Sequence, residues 1–594
     1  MKYLFLLIFT LLFSCNSGEI TTYQEGSENV YLNHKDSVSY VGKEKCKDCH
    51  LDIYNSFLET GMGQSFSHAS KTKSVLDEND NPLIYDNIKD FYYKPIWKND
   101  SLFLLEFRLV NNDTTHKLLQ KIDYVIGSGH HTNSHIYSIN GYLHQLPYTF
   151  YTQSSKADLP PGYEGGNNSR FSREIGLECM SCHNAYPNHV ESSLNKYNLI
   201  PDGIDCERCH GPGEIHVNEK MSGIIIDTSK YIDYSIVNPG KLEKELQFDV
   251  CRRCHLQGTT VLKNGKNWND FKAGTLLSET METYLPRYEN DESFIMASHV
   301  DRLQQSECFK KGGVTCVSCH NPHKSVTTLS DDYFNNKCLD CHKICKEKEE
   351  NLDCISCHMP KSSSSDIPHV SITDHKISVP FSDIKEKGDF LSLYCVNNPN
   401  PSDLSKAKAY LKHYESFDKN SILLDSAKMF LDRCDKQESS PFYIQYYYLK
   451  NEYKNIIQYS ESIELNKLHN KLINRDLGLV YFRIAEAYNH FSFSEKSYKF
   501  YLLSLDYSSA NLDYQLKTSV LEIKMSNFET AKNRLLKIIK MNPSYEKAYY
   551  NLGLIYLNVE KDIDKAKEYF QKAISLNPDY KLSIENLNYI NKNE

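Results

Sequence analysis

Beyond Phe13 the chain has no apolar run approaching the roughly 20 residues a membrane-spanning helix needs, so no internal segment reads as a span. It has no basic excess either. Lys and Arg number 68 against 77 Asp and Glu, a net charge of −9, which argues against a nucleic-acid partner. Tryptophan is nearly absent, with two residues against 43 tyrosines, and no function follows from that imbalance. Histidine is nearly absent from the C-terminal third, where only His413, His469 and His490 occur after residue 385. Cysteine is not scarce, and 14 of the 19 fall into one repeated pattern.

Cys-x-x-Cys-His occurs seven times. Motif 1 is Cys46, Cys49 and His50, motif 2 is Cys179, Cys182 and His183, and motif 3 is Cys206, Cys209 and His210. Motif 4 is Cys251, Cys254 and His255, and motif 5 is Cys316, Cys319 and His320. Motif 6 is Cys338, Cys341 and His342, and motif 7 is Cys354, Cys357 and His358. At this Cys and His content chance would supply roughly 0.02 copies. The pattern is the attachment signature of c-type haem. Two cysteines form thioethers to one porphyrin, and the next histidine faces its iron. Zinc ribbons built from paired Cys-x-x-Cys would leave seven identically placed histidines without a role. Disulfides through these cysteines would leave the same histidines unexplained. The expected cofactors are seven covalent c-type haems with their iron.

The N-terminus carries Lys2, an apolar run from Tyr3 to Phe13, then Ser14-Cys15. This is a secretory signal, and Leu12-Phe13-Ser14-Cys15 resembles a bacterial lipobox, with Ser in place of the usual Gly or Ala before the cysteine. Residues 1–15 are thus read as a lipoprotein-type signal with Cys15 lipidated, and 16–40 as a polar tether. An ordinary cleaved signal with an incidental cysteine is the alternative. Residues 41–385 hold all seven motifs, and 400–594 hold none. The expected localisation is exported, on a bacterial periplasmic or cell-surface membrane, with the lipid as anchor.

The fold class expected is mainly α: a cytochrome domain with little regular structure and a small β-rich insertion at about 84–150, followed by an α-solenoid. Leu102–Val110 reads as a strand. His135–Ile139 and Tyr142–Leu146 flank Asn140-Gly141, the strongest short hairpin signal. Motifs 6 and 7 are close in sequence, since Cys338 to Cys354 spans at most about 24 Å if helical. Tyr549, Leu552, Gly553 and Tyr556, followed by Ala566, Phe570, Ala573 and Pro578, match a tetratricopeptide unit with one residue inserted between its helices. Ala531, Leu535, Ile538 and Pro543 mark the preceding unit, and degenerate units precede it, so the solenoid is expected to begin near residue 400. A generic helical bundle is the alternative.

Each iron needs one further ligand to be six-coordinate. The pool selected from the haem region is His68 or Met62, His131, His216, His299, His323, His369 and His375, seven donors for seven irons. A fully ligated set moves electrons without binding substrate. No Cys-x-x-Cys-Lys motif occurs, which removes the lysine-ligated haem typical of cytochrome c nitrite reductases.

Several stretches beyond the motifs resemble the multihaem cytochromes c related to the tetrahaem cytochrome of ammonia oxidisers, fused to tetratricopeptide repeats. They are Tyr40-Val41-Gly42, Tyr124 to Gly129, Cys182-His183-Asn184-Ala185-Tyr186-Pro187, Gly203 to Gly213, Ser306 to Phe309, Cys357 to Pro360 and Thr373-Asp374-His375. The resemblance covers nearly all residues from 40 onward. It implies periplasmic or surface electron transfer and supplies no substrate. Cys308 with Cys345, and Cys395 with Cys434, are candidate disulfides in an oxidising compartment. Three functions are therefore weighed. The leading one is a lipid-anchored electron carrier whose repeats dock a redox partner. The second is an oxidoreductase acting on a small nitrogen or sulfur compound at one open haem, with His144 or His189 as acid–base group. The third is a scaffold for a respiratory or surface complex.

Overall fold

A computed structural model of the chain describes residues 31–290, 295–342, 353–379, 388–469 and 472–593. Cys15, the signal, most of the tether and Cys345 lie outside the described residues. Among those residues no helix is long and apolar enough to cross a membrane.

The β-structure is more extensive than the mainly α expectation. An antiparallel meander runs Ile84–Asp86, Phe91–Lys98, Ser101–Val110, Asp113–Lys121. A second sheet orders Phe66–His68, Tyr124–Ile126, Thr132–Ile139, Tyr142–Tyr151 and Arg173–Glu174, with Lys156–Asp158 paired to Tyr142–Tyr151. Leu102 and Leu104 of the first sheet and Tyr137, Leu146 and Tyr148 of the second share one core, so the two sheets pack as layers. The strand-bearing region thus runs from Phe66 to Glu174 rather than 84–150. The hairpin signal is realised. Asn140 has φ 50° and Gly141 φ 86°, the positive pair that a two-residue primed turn requires. A Cβ on Gly141 would meet the Tyr197 carbonyl oxygen at 2.4 Å.

A third sheet joins Thr259–Leu262, Met281–Tyr288 and Phe390–Cys395, segments more than a hundred residues apart at the extremes. Its Val261, Tyr284 and Leu393 are buried with Leu404, Ala407, Leu411 and Leu424 of the first helical repeat. The repeat domain is therefore continuous with the core of the preceding region.

Among the described residues eleven α-helices follow from Asp403 to Asn593. Side chains cap their starts: Ser402 accepts from Ser405 N–H, Asn420 from Ile422, Asp435 from Gln437 and Glu438, Asn511 from Asp513 and Tyr514, and Asp562 from Lys565. In the last complete pair, Glu546–Ile555 and Ile563–Leu576, Ala566, Phe570 and Ala573 are fully buried. The inserted residue is absorbed as a π-helical turn at Tyr556–Glu560, closed by Lys561 at φ 58°. A Cβ added to Gly553 would lie 2.5 Å from the Phe570 ring, so this glycine sets how closely the two helices approach.

The solenoid docks along one edge on the β-sheets. Asn140 at the hairpin tip donates to the carbonyls of Lys540 and Met541 at 3.1 Å, and Tyr142 Oη donates to Ala510 O at 2.9 Å. Arg108 forms a two-pronged pair with Asp579 at 2.8 and 2.9 Å, and Arg170 donates to Leu576 O at 3.1 Å. Helix C-termini present unpaired carbonyls, and these donors from the sheets satisfy several of them. Cys395 and Cys434 pack against the core of the first helical repeat, and among the described residues neither they nor Cys308 form a disulfide.

Candidate functional site: one cavity lined by seven motifs

Each motif sits on a short helical turn or at its end, such as Leu177–His183, Glu207–His210, Lys244–His255 and Cys354–His358. Residues three and four apart share a helix face, so both cysteines and the histidine of one motif point the same way. In motifs 1, 3, 5 and 6 the histidine N–H bonds back to the first cysteine's carbonyl at 2.9, 3.0, 2.9 and 2.9 Å.

All fourteen motif cysteines and all seven motif histidines line one continuous cavity of about 2760 Å³. Ordinary small-molecule clefts measure about 300–1,000 Å³. Among the described residues no group of three or more His, Cys, Asp or Glu side chains converges on a point that could hold a bare metal ion. Donors strung along a long cavity suit a row of porphyrins, each spanning between thiols and imidazole, better than tetrahedral zinc.

The stretches flanking the motifs knit them together. The Glu207 carboxylate, inside motif 3, accepts from the N–H groups of Val41, Gly42 and Gly213 at 2.8, 2.7 and 2.8 Å, which holds the approach to motif 1 against motif 3. Tyr40 lies against Tyr186 with ring centres 3.9 Å apart, and the Arg208 guanidinium covers Tyr186 at 3.9 Å while donating to Asn184 O. Cysteines of different motifs lie close enough to shift one another's pKa: Cys46 and Cys206, Cys182 and Cys254, Cys251 and Cys316, and Cys338 and Cys354. Motif 1 therefore neighbours 3, motif 4 neighbours both 2 and 5, and motif 6 neighbours 7. Cys354 N–H also donates to Asn335 Oδ1 beside motif 6 at 3.1 Å.

Of the candidate second ligands, Met62, His131, His216, His299, His323 and His375 line the cavity. Three face motif histidines. His323 lies 6.0 Å from His210 with the planes 11° apart. His375 lies 6.3 Å from His320 at 27°, and His299 lies 5.5 Å from His255 at 87°. Each pair is close enough that its two imidazoles would hold one haem iron between them. Burial is the largest cause lowering the pKa of His183, His210, His255, His320, His323 and His375, and it pushes His299 down to about 3. A metal ligand must be neutral imidazole, and burial favours that form in these rings. Nδ1 of His210, His358 and His375 donates to the carbonyls of Val237, Ser378 and Thr373 at 2.8, 3.0 and 2.9 Å. That bond fixes the tautomer and leaves Nε2 free to ligate.

Two candidates lie elsewhere. His68 is 63% exposed and bonds Asp202 at 2.9 Å, and His369 bonds Asp158 at 2.9 Å beside Tyr151. Neither lines the cavity. His130, adjacent to the selected His131, does line it. His131 Nδ1 is 2.7 Å from Gln153 Nε2. Gln153 is oriented by Ser371, whose N–H donates to its Oε1 and whose carbonyl accepts from its Nε2. Its Nε2 is therefore the donor to His131, whose proton then sits on Nε2. His144 is buried in the second sheet, stacked on Tyr137 at 5.2 Å, and His189 lies 3.3 Å from Leu194 O. Neither lines the cavity, which removes both from acid–base work there.

Two family profiles match the chain: "Cytochrome c554 and c-prime" over residues 148–211, which contain motifs 2 and 3, and "Tetratricopeptide repeat" over residues 546–580. The multiheme cytochrome MtrA of Shewanella baltica is 24% identical over 221 residues, 34% of this chain. The aligned part spans 62% of that relative's length. Among solved structures, the tetratricopeptide-repeat protein YrrB is similar at 17% identity over 30% of this chain and 97% of its own, TM-score 0.24. MamA from Desulfovibrio magneticus RS-1 is similar at 18% identity over 27% of this chain and 86% of its own, TM-score 0.24. With seven haem-attachment motifs on one cavity and a solenoid behind them, the chain is a multihaem cytochrome c, similar to the cytochrome c554 group, fused to C-terminal tetratricopeptide repeats.

Proposed function

We propose that the protein carries electrons along seven covalently attached haems, exported and held on a bacterial membrane by a lipid on Cys15, while the repeats dock a redox partner. The observation that supports this most is that all seven motifs open onto one cavity, so that neighbouring sites adjoin without intervening protein. Haem supplies one-electron chemistry between ferric and ferrous iron. The chain's residues hold each ring by two thioethers and orient the proximal imidazole. A pyridine haemochrome assay with intact mass should give seven haems per chain. Fewer than six, or zinc in place of iron, would refute the reading.

His323 opposite His210, His375 opposite His320 and His299 opposite His255 are the pairings that the ring spacings support. Met62, His130 and His216 are the donors proposed for three of the four remaining motifs, with His130 replacing His131. The hydrogen bond from Gln153 supports that exchange, because it places the His131 proton on the nitrogen that would ligate. His130→Ala should convert one low-spin iron to high spin, and His131→Ala should convert none. The reverse result would show that His131 is the ligand.

A second reading has one observation in its favour. With His131 set aside, the assigned donors Met62, His130, His216, His299, His323 and His375 number six against seven motifs. An iron without a partner from this set would be open to a small nitrogen or sulfur compound, and the chain would act as an oxidoreductase there. A high-spin ferric resonance in the oxidised wild-type protein would favour that reading, and its absence favours the carrier.

A further inference from the structure

Motif 2 is tied to the repeat domain through the residue before its first cysteine. Glu178, immediately before Cys179, accepts from Lys412 Nζ at 2.9 and 3.0 Å. Lys412 belongs to the Asp403–Ser416 helix that opens the solenoid. The same ammonium donates to Thr260 O at 2.9 Å and lies 5.1 Å from the centre of the Trp268 ring. The Trp268 carbonyl accepts from Arg253 Nη2 at 2.6 Å, and Arg253 Nη1 lies 3.5 Å from Cys182 Sγ. Contacts thus run without a break from the first repeat helix to a haem-attaching sulfur. Nine residues after His183, Ser192 O accepts the N–H of Ala510, between two later repeat helices, at 3.1 Å. Phe417, five residues after Lys412, lines the haem cavity, so the repeat domain supplies part of its wall.

We propose that the repeat domain sets the reduction potential of the haem on Cys179 and Cys182, through the charge of Lys412. The inference rests on the reading that this motif carries haem. Ferric haem bears one more positive charge than ferrous haem. An unpaired carboxylate beside it favours the ferric form and lowers the potential, while a cation does the opposite. Glu178 abuts the thioether cysteine, and Lys412 neutralises it. The step concerned is the addition of one electron to one iron, Fe(III) to Fe(II), with no bond made or broken. A partner with an acidic surface that drew Lys412 away would make this haem harder to reduce.

The test is a spectroelectrochemical titration of the full-length holoprotein at low ionic strength, where screening is weakest. In Lys412→Met one haem of the seven should move to lower potential, and in Glu178→Gln the same haem should move to higher potential. The double variant should return close to wild type, and both shifts should shrink as salt is added. Unchanged potentials in both single variants would overturn the proposal. So would a shift of the same sign in both, which marks disturbed packing rather than charge. Haem content measured on the same samples separates the two levels: absence of the motif 2 haem from the parent protein would overturn the reading beneath the proposal.

Discussion

Replacing His323 by alanine should open one iron and leave six unchanged. The ring of His323 is nearly parallel to that of His210 at 6.0 Å, although His323 lies only three residues after His320 of motif 5. Its loop is set by Asn321, whose side-chain oxygen accepts the His323 N–H at 3.0 Å, and the ring meets Phe57 edge-on at 6.5 Å. The Nδ1 bond of His210 to Val237 keeps that imidazole ligating from its side. The variant should therefore show one five-coordinate or water-ligated ferric haem, with a high-spin resonance and new carbon monoxide binding after reduction. The haem count should stay at seven, because thioethers do not depend on the axial ligand. His375→Ala should open a different iron, that of motif 5, and the double variant should open two, since the sites are independent. An unchanged low-spin spectrum in folded His323→Ala would reduce His323 to a surface histidine. A double variant with one open iron would show that His323 and His375 serve the same haem.

The parts of this structure visible in the sequence are those specified locally. Asn140-Gly141 dictates its hairpin because few residues tolerate two successive positive φ values. The repeat alanines and Phe570 mark a helix pair because close packing needs those sizes at that spacing. The extra residue between the helices was legible as an insertion, but its resolution into a π turn was not. The sheet of Thr259–Leu262, Met281–Tyr288 and Phe390–Cys395 gave no sign. Met281–Leu285 is buried on both faces and so does not alternate, Pro286 interrupts the pattern, and the partners are remote in sequence. At the site, the pool of histidines was legible because histidine is concentrated in the haem region. The pairing was not, because a distal ligand comes from wherever the fold brings it. His68 and His369 lie near motifs 1 and 7 in sequence, and what separates them from the other candidates is that neither lines the cavity, a placement no local pattern reports. Lys412 and Phe417 carry no motif at all.

Arg302→Ala should open two irons with one substitution, although Arg302 faces no porphyrin-attaching cysteine in sequence. Arg302 lies three residues after His299 on the helix His299–Gln305, and Asp374 directly precedes His375. The guanidinium donates through Nε to Asp374 Oδ1 at 2.8 Å and through Nη2 to Oδ2 at 2.6 Å, with the side chains 6% and 14% exposed. Asp374 also accepts the Lys376 N–H at 2.9 Å, so the pair fixes the whole short segment that bears His375. The two distal imidazoles it clamps, His299 and His375, touch edge to face at 4.8 Å. Breaking a buried pair by removing one partner costs about 3–5 kcal/mol, because the remaining charge is stranded. Relief comes from moving Asp374 toward water, which carries His375 away from His320 and removes the support of His299 opposite His255. Arg302→Lys keeps the charge but loses the two-pronged geometry, so it should give a partial high-spin fraction at the same two sites. Integrated high-spin signal against total haem is the measurement. Two open irons in Arg302→Ala, against one each in His299→Ala and His375→Ala, would establish the clamp. One or none in a folded Arg302→Ala protein would show that each imidazole is held by its own backbone alone.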